Sequence, residues 1–313
     1  MAAPSARLVR FAWFTLAFTV FVILLGAVVR ATGSGAGCGA NWPTCNGGVL
    51  PLSGTAEEAI EFTHRATSGL SLLFVAGLYL AVRRSFERGT PVRTAAFLSG
   101  IFILAEALIG AGLVLFEWVA EDTSVARAVS VALHLVNTFL LLGALGATAW
   151  WLRGGSAPRA GAVRAHRRPF AIGAGLLLLV GAMGAITALG DTLFPSDSLV
   201  EGLRDDFSAA EHFLVRLRWI HPILAIGAGW YLAGLGRARS MTGSPPAQRL
   251  GNGLMWIVVV QLIAGVVNVL LLAPLWMQVV HLLLADTLWI VFVLFGAESI
   301  AARAESDLEA AAS

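Results

Sequence analysis

Four of the six histidines, His64, His134, His221 and His281, open apolar runs long enough to cross a bilayer. An ionisable side chain in such a run is costly to bury and marks a functional site by default. Haem iron takes two axial imidazoles, one from each side, and helices packed about 8–10 Å apart can each carry one ligand if the pair is level. That pairs His64 with His134 and His221 with His281. A lone histidine is better explained as a hydrogen-bonded or capping residue, but four at one depth point to ligands. His166, in an arginine-rich segment, and His212, in an acidic one, read as solvated surface residues.

Other chemistry gathers at the same level. Glu61 precedes His64 by three residues, on one helical face, where it can approach a substrate held beside the imidazole. The position three before His221 is Arg218, so one pair is equipped for chemistry and the other for holding a cofactor. Arg65, Arg216 and Arg218 are candidates for haem propionates, because the guanidinium fork binds carboxylates bidentately; interfacial snorkelling is the competing role. Glu106 and Asp286 are acids within spans whose role, proton relay or interhelical bonding, is left open. Cys38 and Cys45, the two cysteines of the chain, lie in a short Gly/Pro-rich segment. On an oxidising face such a pair suits a disulfide, either a structural staple or a redox-active dithiol.

The elements that must position these residues follow from composition. The chain has 313 residues, 58% hydrophobic and only 13% charged, with a mean hydropathy of +0.80. A soluble domain carries about 25% charge, so most of this chain must face lipid or other apolar helices. A net charge of +2 with no continuous basic surface gives no nucleic-acid partner. Eight spans of about 20 residues are expected at 11–30, 64–83, 94–116, 127–151, 169–190, 218–236, 251–273 and 277–298. They must be helices, because an open strand leaves backbone groups unsatisfied in lipid. The first run follows Arg7 and Arg10 as a signal peptide would, but its length fits a retained helix.

All basic residues are arginine, and with both termini cytoplasmic the inner segments hold 15 of the 21, as the positive-inside rule requires. The expected site is a cell membrane. The stretch Ser198 to Arg216 suits one amphipathic helix lying over the bundle, and the tail after Ala301 is expected to fray.

The chain also echoes itself. Leu25-Gly26-Ala27 recurs as Val180-Gly181-Ala182 and Glu106-Ala-Leu-Ile-Gly110 as Gln261-Leu-Ile-Ala-Gly265, both at an offset of 155. The expected fold is an all-α integral membrane protein of two pseudosymmetric four-helix bundles. Residues 1–160 would carry the first histidine pair with the cysteine-bearing outer loop, and residues 161–313 the second pair.

The run Gly26-Ala-Val-Val-Arg-Ala-Thr-Gly-Ser-Gly35, the Cys38/Cys45 segment, Glu61-Phe-Thr-His-Arg65 and the histidines opening spans 4, 6 and 8 resemble the haem A synthase family. The resemblance covers nearly the whole chain. It implies an enzyme that hydroxylates a methyl group of haem O twice, giving the formyl group of haem A for terminal oxidases. It also implies that His64 and His134 bind the substrate haem, that His221 and His281 ligate a resident haem b, that Glu61 takes part in catalysis, and that Cys38 and Cys45 form a disulfide. Implied partners are haem O synthase, cytochrome oxidase assembly factors and an unidentified electron acceptor; a homo-oligomer is left open. One departure is Pro222, which follows His221 where an arginine would complete the echo of His64-Arg65.

Two other readings compete. A non-enzymatic bis-histidine cytochrome b would need the same ligands but two equivalent sites. A transporter would need broken helices at mid-membrane. A haem prenyltransferase would need Asp-rich metal-binding loops, and the sequence has none.

Overall fold

The computed structural model describes residues 4–50, 54–157, 160–241 and 244–312. Ten α-helices occur among them: α1 (Ala6–Ala31), α2 (Ala56–Ser85), α3 (Pro91–Leu115), α4 (Val125–Leu152), α5 (Ala160–Leu193), α6 (Leu199–Asp206), α7 (Phe213–Arg216), α8 (Ile220–Ser240), α9 (Pro245–Leu270) and α10 (Leu275–Ala312). Among the described residues there is no β-strand.

Seven of these helices are long and apolar enough to cross a membrane: α1, α2, α3, α4, α5 from His166, α9, and α10 as far as Ala302. The protein is therefore a multi-pass membrane protein. The span expected at 218–236 is α8, a helix of 21 residues that falls outside this set. His221, Pro222, Arg237 and four glycines dilute its apolar content.

Local signals set the helix ends. Ser5, Thr55 and Ser124 cap α1, α2 and α4 by accepting from the backbone N–H three residues on, which satisfies an otherwise orphaned donor. Glu57 and Glu58 open α2 while Arg83 and Arg84 close it, each matched to the helix dipole. Pro91 and Pro245 start α3 and α9, where a missing N–H costs nothing.

Helix α1 packs against α2 and α4, α2 against α3, and α3 against α4; α5 packs against α8, α8 against α9, α9 against α10, and α10 back against α5. The two groups meet where α4 lies against α5 and α10. Glycine lets them approach: a β-carbon on Gly143 would lie 3.1 Å from Trp289 Nε1, and one on Gly146 would lie 3.3 Å from Ile290 Cγ2. Small residues of this kind are how apolar helices pack closely where lipid offers no hydrophobic drive. Phe139 and Trp289 stack across this seam with centroids 5.5 Å apart, and the Trp289 indole donates to the Phe139 carbonyl. Two further ties cross it. The Arg30 guanidinium of α1 donates to Ala188 O and Thr192 Oγ1 of α5 and to Gln278 Oε1 of α10, at 2.6, 2.6 and 2.7 Å. At the opposite end, buried Glu298 of α10 accepts from Trp150 Nε1 at 2.7 Å and Ser156 N at 2.6 Å.

Three sequence expectations need correction. The single amphipathic helix over Ser198–Arg216 is two short helices, α6 and α7, broken between Phe207 and His212. His212 is not simply solvated: it caps α7 by accepting from Leu214 N and stacks on Phe194 at 4.8 Å. The tail expected to fray after Ala301 is placed as helix, α10 continuing to Ala312.

Candidate functional site

The four histidines lie toward the N-terminal ends of α2, α4, α8 and α10, each backed by a glycine of a neighbouring helix. A β-carbon on Gly26 of α1 would lie 3.0 Å from His64 Cε1, on Gly184 of α5 2.9 Å from His221 Cε1, on Gly265 of α9 3.3 Å from His281 Cε1, and on Gly110 of α3 3.9 Å from His134 Cε1. The imidazoles of α2, α8 and α10 are thus seated on bare backbone; that of α4 has more room. This corrects the internal repeat. The counterpart of Gly26 is Gly184, at an offset of 158, in step with the 157 that separates His64 from His221. Gly181, matched from the tripeptide, instead faces Phe139 at 2.8 Å. The histidine spacing carried the right register; the tripeptide, cheap among Gly and Ala, did not.

His221 and His281 face each other with centroids 6.3 Å apart and planes at 83°. His221 Nδ1 is 3.2 Å from the Val180 carbonyl, which leaves Nε2 for a ligand. His134 Nδ1 lies 3.3 Å from Glu106 Oε1. Glu106 in turn accepts from Asn137 Nδ2 and, at 2.6 Å, from Thr138 Oγ1. Its repeat counterpart Gln261 sits with its amide nitrogen 3.3 Å from His281 Nε2. The Nδ1 atoms of His64, His134 and His281 are buried without an aligned hydrogen-bond partner, a costly state for a polar atom unless something else engages the ring. Asp286, fully buried on α10, also has two unpartnered carboxyl oxygens.

Glu61 is buried and held from two sides. Cys38 N donates to Oε2 at 2.7 Å, and Arg65 Nε donates to Oε1 at 3.0 Å. Arg65 also donates to Thr44 O at 2.7 Å and to Asn41 O, so α2 and the cysteine-bearing segment before it share one clamp. Cys38 and Cys45 form a disulfide, and both are buried. Gly33 turns the chain out of α1 at a φ of 68°. Gly37 has no room for a side chain, since a β-carbon would lie 2.5 Å from the Glu57 backbone. Sequence reasoning missed Glu58, which is fully buried and accepts from Asn46 Nδ2 at 2.8 Å and Gly54 N at 3.2 Å. Its signal was an acid one turn inside a capped helix, facing a loop that needs acceptors.

The arginines proposed for propionates are not equivalent. Arg218 is tied to Asp206 at 2.8 Å, Asp191 at 3.4 Å and the Phe194 carbonyl at 3.2 Å. Burial pushes the Asp206 carboxyl upward, and Arg218 opposes that shift. Arg65 is taken by Glu61. Arg216 is exposed and lines a cleft of about 460 Å³ with Asp206, Phe207, Phe213, Trp219 and Ile220.

A family model described as cytochrome oxidase assembly protein matches residues 9–293. A protein of Thermus thermophilus named protoheme IX farnesyltransferase is 47% identical over 302 residues, which is 96% of this chain and 50% of that protein. A heme A synthase of Lysinibacillus sphaericus is 38% identical over 133 residues, 42% of this chain and 43% of the relative. One of Exiguobacterium sibiricum is 35% identical over 126 residues, 40% and 42% respectively. The chain spans about half the length of the curated relatives it matches. With the family model covering nearly all of it, the chain belongs to the COX15-CtaA family of cytochrome oxidase assembly proteins.

Proposed function

We propose that this protein is a haem A synthase, oxidising a methyl group of haem O to a formyl group, built as two four-helix bundles over residues 1–160 and 161–313. The observation that carries the reading is the pairing of imidazoles at one level. A metal lies about 2.0–2.1 Å from an imidazole nitrogen, so two rings gripping one iron have centroids about 6–6.5 Å apart. The 6.3 Å between His221 and His281 fits that separation. The glycine seats fit it too, because they limit where each ring can lie, and His221, with Nδ1 beside the Val180 carbonyl, keeps Nε2 free to ligate.

In this reading His64 and His134 hold the haem O substrate, and His221 and His281 hold a haem b. A haem at the second pair supplies one-electron chemistry when bound. Glu61, with both oxygens engaged, is better suited to hold fixed negative charge beside the substrate than to act as a free base. Arg65 orients Glu61, and Arg216, in its open cleft, is the arginine left free for a propionate. Eight spans with both termini cytoplasmic, counting α8, put this site near the outer face of the cell membrane. Haem O synthase and oxidase assembly factors are the proposed partners.

The Thermus thermophilus relative raises farnesyl transfer as a second reading. That protein is about twice as long as the matched region, and the family model on this chain is the assembly protein. Expression with a source of haem O, followed by extraction and mass spectrometry of the pigment, separates the readings. Formyl or hydroxymethyl haem supports the synthase. Unchanged haem with a reversible bis-imidazole spectrum supports an electron-carrying cytochrome b, and farnesylation of added protohaem supports the transferase.

A further inference from the structure

The two histidine pairs are alike in their glycine seats and unlike in what stands beside the ring on the next helix. At the first pair, Glu106 of α3 brings a carboxylate oxygen within 3.3 Å of His134 Nδ1. That carboxylate is anchored by Asn137 and Thr138, three and four residues along α4 from the same histidine. The acid and its two donors therefore form a unit with His134. At the second pair every part of the unit is replaced. Gln261 stands where Glu106 does, and the residues three and four beyond His281 are Leu284 and Ala285, which have no hydrogen bond to give. Gln261 reaches Nε2 rather than Nδ1, its Oε1 is buried without a partner, and His281 Nδ1 is unsupported.

A carboxylate behind a metal-bound imidazole orients the ring and raises its basicity, as in the carboxylate–histidine–metal arrangement of many sites. A more electron-rich axial ligand stabilises ferric over ferrous iron and lowers the reduction potential. A neutral amide on the other nitrogen does neither. We infer that Glu106 is a positioning residue for His134, gripping its imidazole through Nδ1 so that haem at the first pair has a lower reduction potential than haem at the second. Contacts of this kind are often poorly aligned before the ligand is bound, and a small turn of the ring brings Nδ1–H onto Oε1. The resulting gradient favours electrons leaving the first site for the second, the direction that oxidation of a substrate at the first pair requires.

The inference rests on the ligand assignment proposed above, and the test keeps the two apart. The full chain in detergent is loaded with protohaem, and His134→Ala and His281→Ala assign the two low-spin signals. Redox titration is followed by visible absorption and EPR. Glu106→Gln should raise the midpoint potential of the haem lost in His134→Ala and leave the other unmoved. Thr138→Val, which keeps the carboxylate but removes one anchor, should shift the same midpoint in the same direction by less. If Glu106→Gln loses the first haem, Thr138→Val decides alone. Both haems bound at wild-type potentials in these variants, or equal shifts at both sites, overturn the inference and leave the ligand assignment standing. Two intact low-spin signals in His134→Ala overturn the assignment itself, and the inference with it.

Discussion

Replacing Gly184 by alanine tests the histidine seat most directly. The new β-carbon would lie 2.9 Å from His221 Cε1, whereas carbon atoms rest about 3.5–4.0 Å apart. The ring or helix α5 must therefore retreat by about 0.6–1.1 Å, several times the ±0.2 Å tolerance of a metal–ligand bond. Overpacking of this size costs about 1–3 kcal/mol. If the cost falls on the bound state, haem affinity drops roughly 5- to 150-fold. The other seats make a graded series. Gly26→Ala, at 3.0 Å, should be nearly as severe for the first pair, Gly265→Ala, at 3.3 Å, milder, and Gly110→Ala, at 3.9 Å, close to neutral. Gly175→Ala on α5 meets nothing within 4 Å and serves as the control. The assay is haem retention and the low-spin absorption band after purification, with thermal unfolding in detergent to separate ligand loss from misfolding. A Gly184→Ala protein with wild-type haem content and spectrum, or losses out of order with these distances, would refute the argument.

Three further outcomes follow from the geometry. Arg30→Ala leaves three acceptors on α5 and α10 without their donor, and thermal unfolding in detergent should register a loss of about 2–4 kcal/mol; Arg30→Lys, lacking the fork, should recover only part of it. Cys38→Ser with Cys45→Ser opens the short loop between α1 and α2, costs about 2–3 kcal/mol of local stability, and loosens the Glu61 clamp, so protease cleavage there should accelerate. Gly37→Ala drives a β-carbon to 2.5 Å from the Glu57 backbone and should displace the same loop more than the cysteine variants do, with haem at the second pair retained.

Histidine in an apolar run is a costly choice, so His64, His134, His221 and His281 stood out, and the structure brings His221 and His281 face to face. What spacing could not supply was the company each ring keeps. Gly184 was hidden because Gly-Ala matches abound, and Glu58 because an acid at a helix start already has a reason in the dipole. Only packing reveals that Arg30 reaches across to α5 and α10. The short helices α6 and α7 were read as one because amphipathic pattern persists through the break at Phe207–His212, where His212 caps afresh. Helix α8 fell short of the apolar threshold for the very residues, His221 and Pro222, that make it interesting.

The ties across the seam, Arg30 at one end, the Trp289 indole in the middle and Glu298 at the other, bear on what can travel through this molecule. Rocking of one group of helices against the other would strip a guanidinium, an indole and a carboxylate of their partners together, and each stranded group costs about 1–3 kcal/mol or more. The scaffold is thus riveted along its depth. Handing cargo across by tilting these bodies would break all three ties at once, so motion of this kind is the most costly one open to the frame.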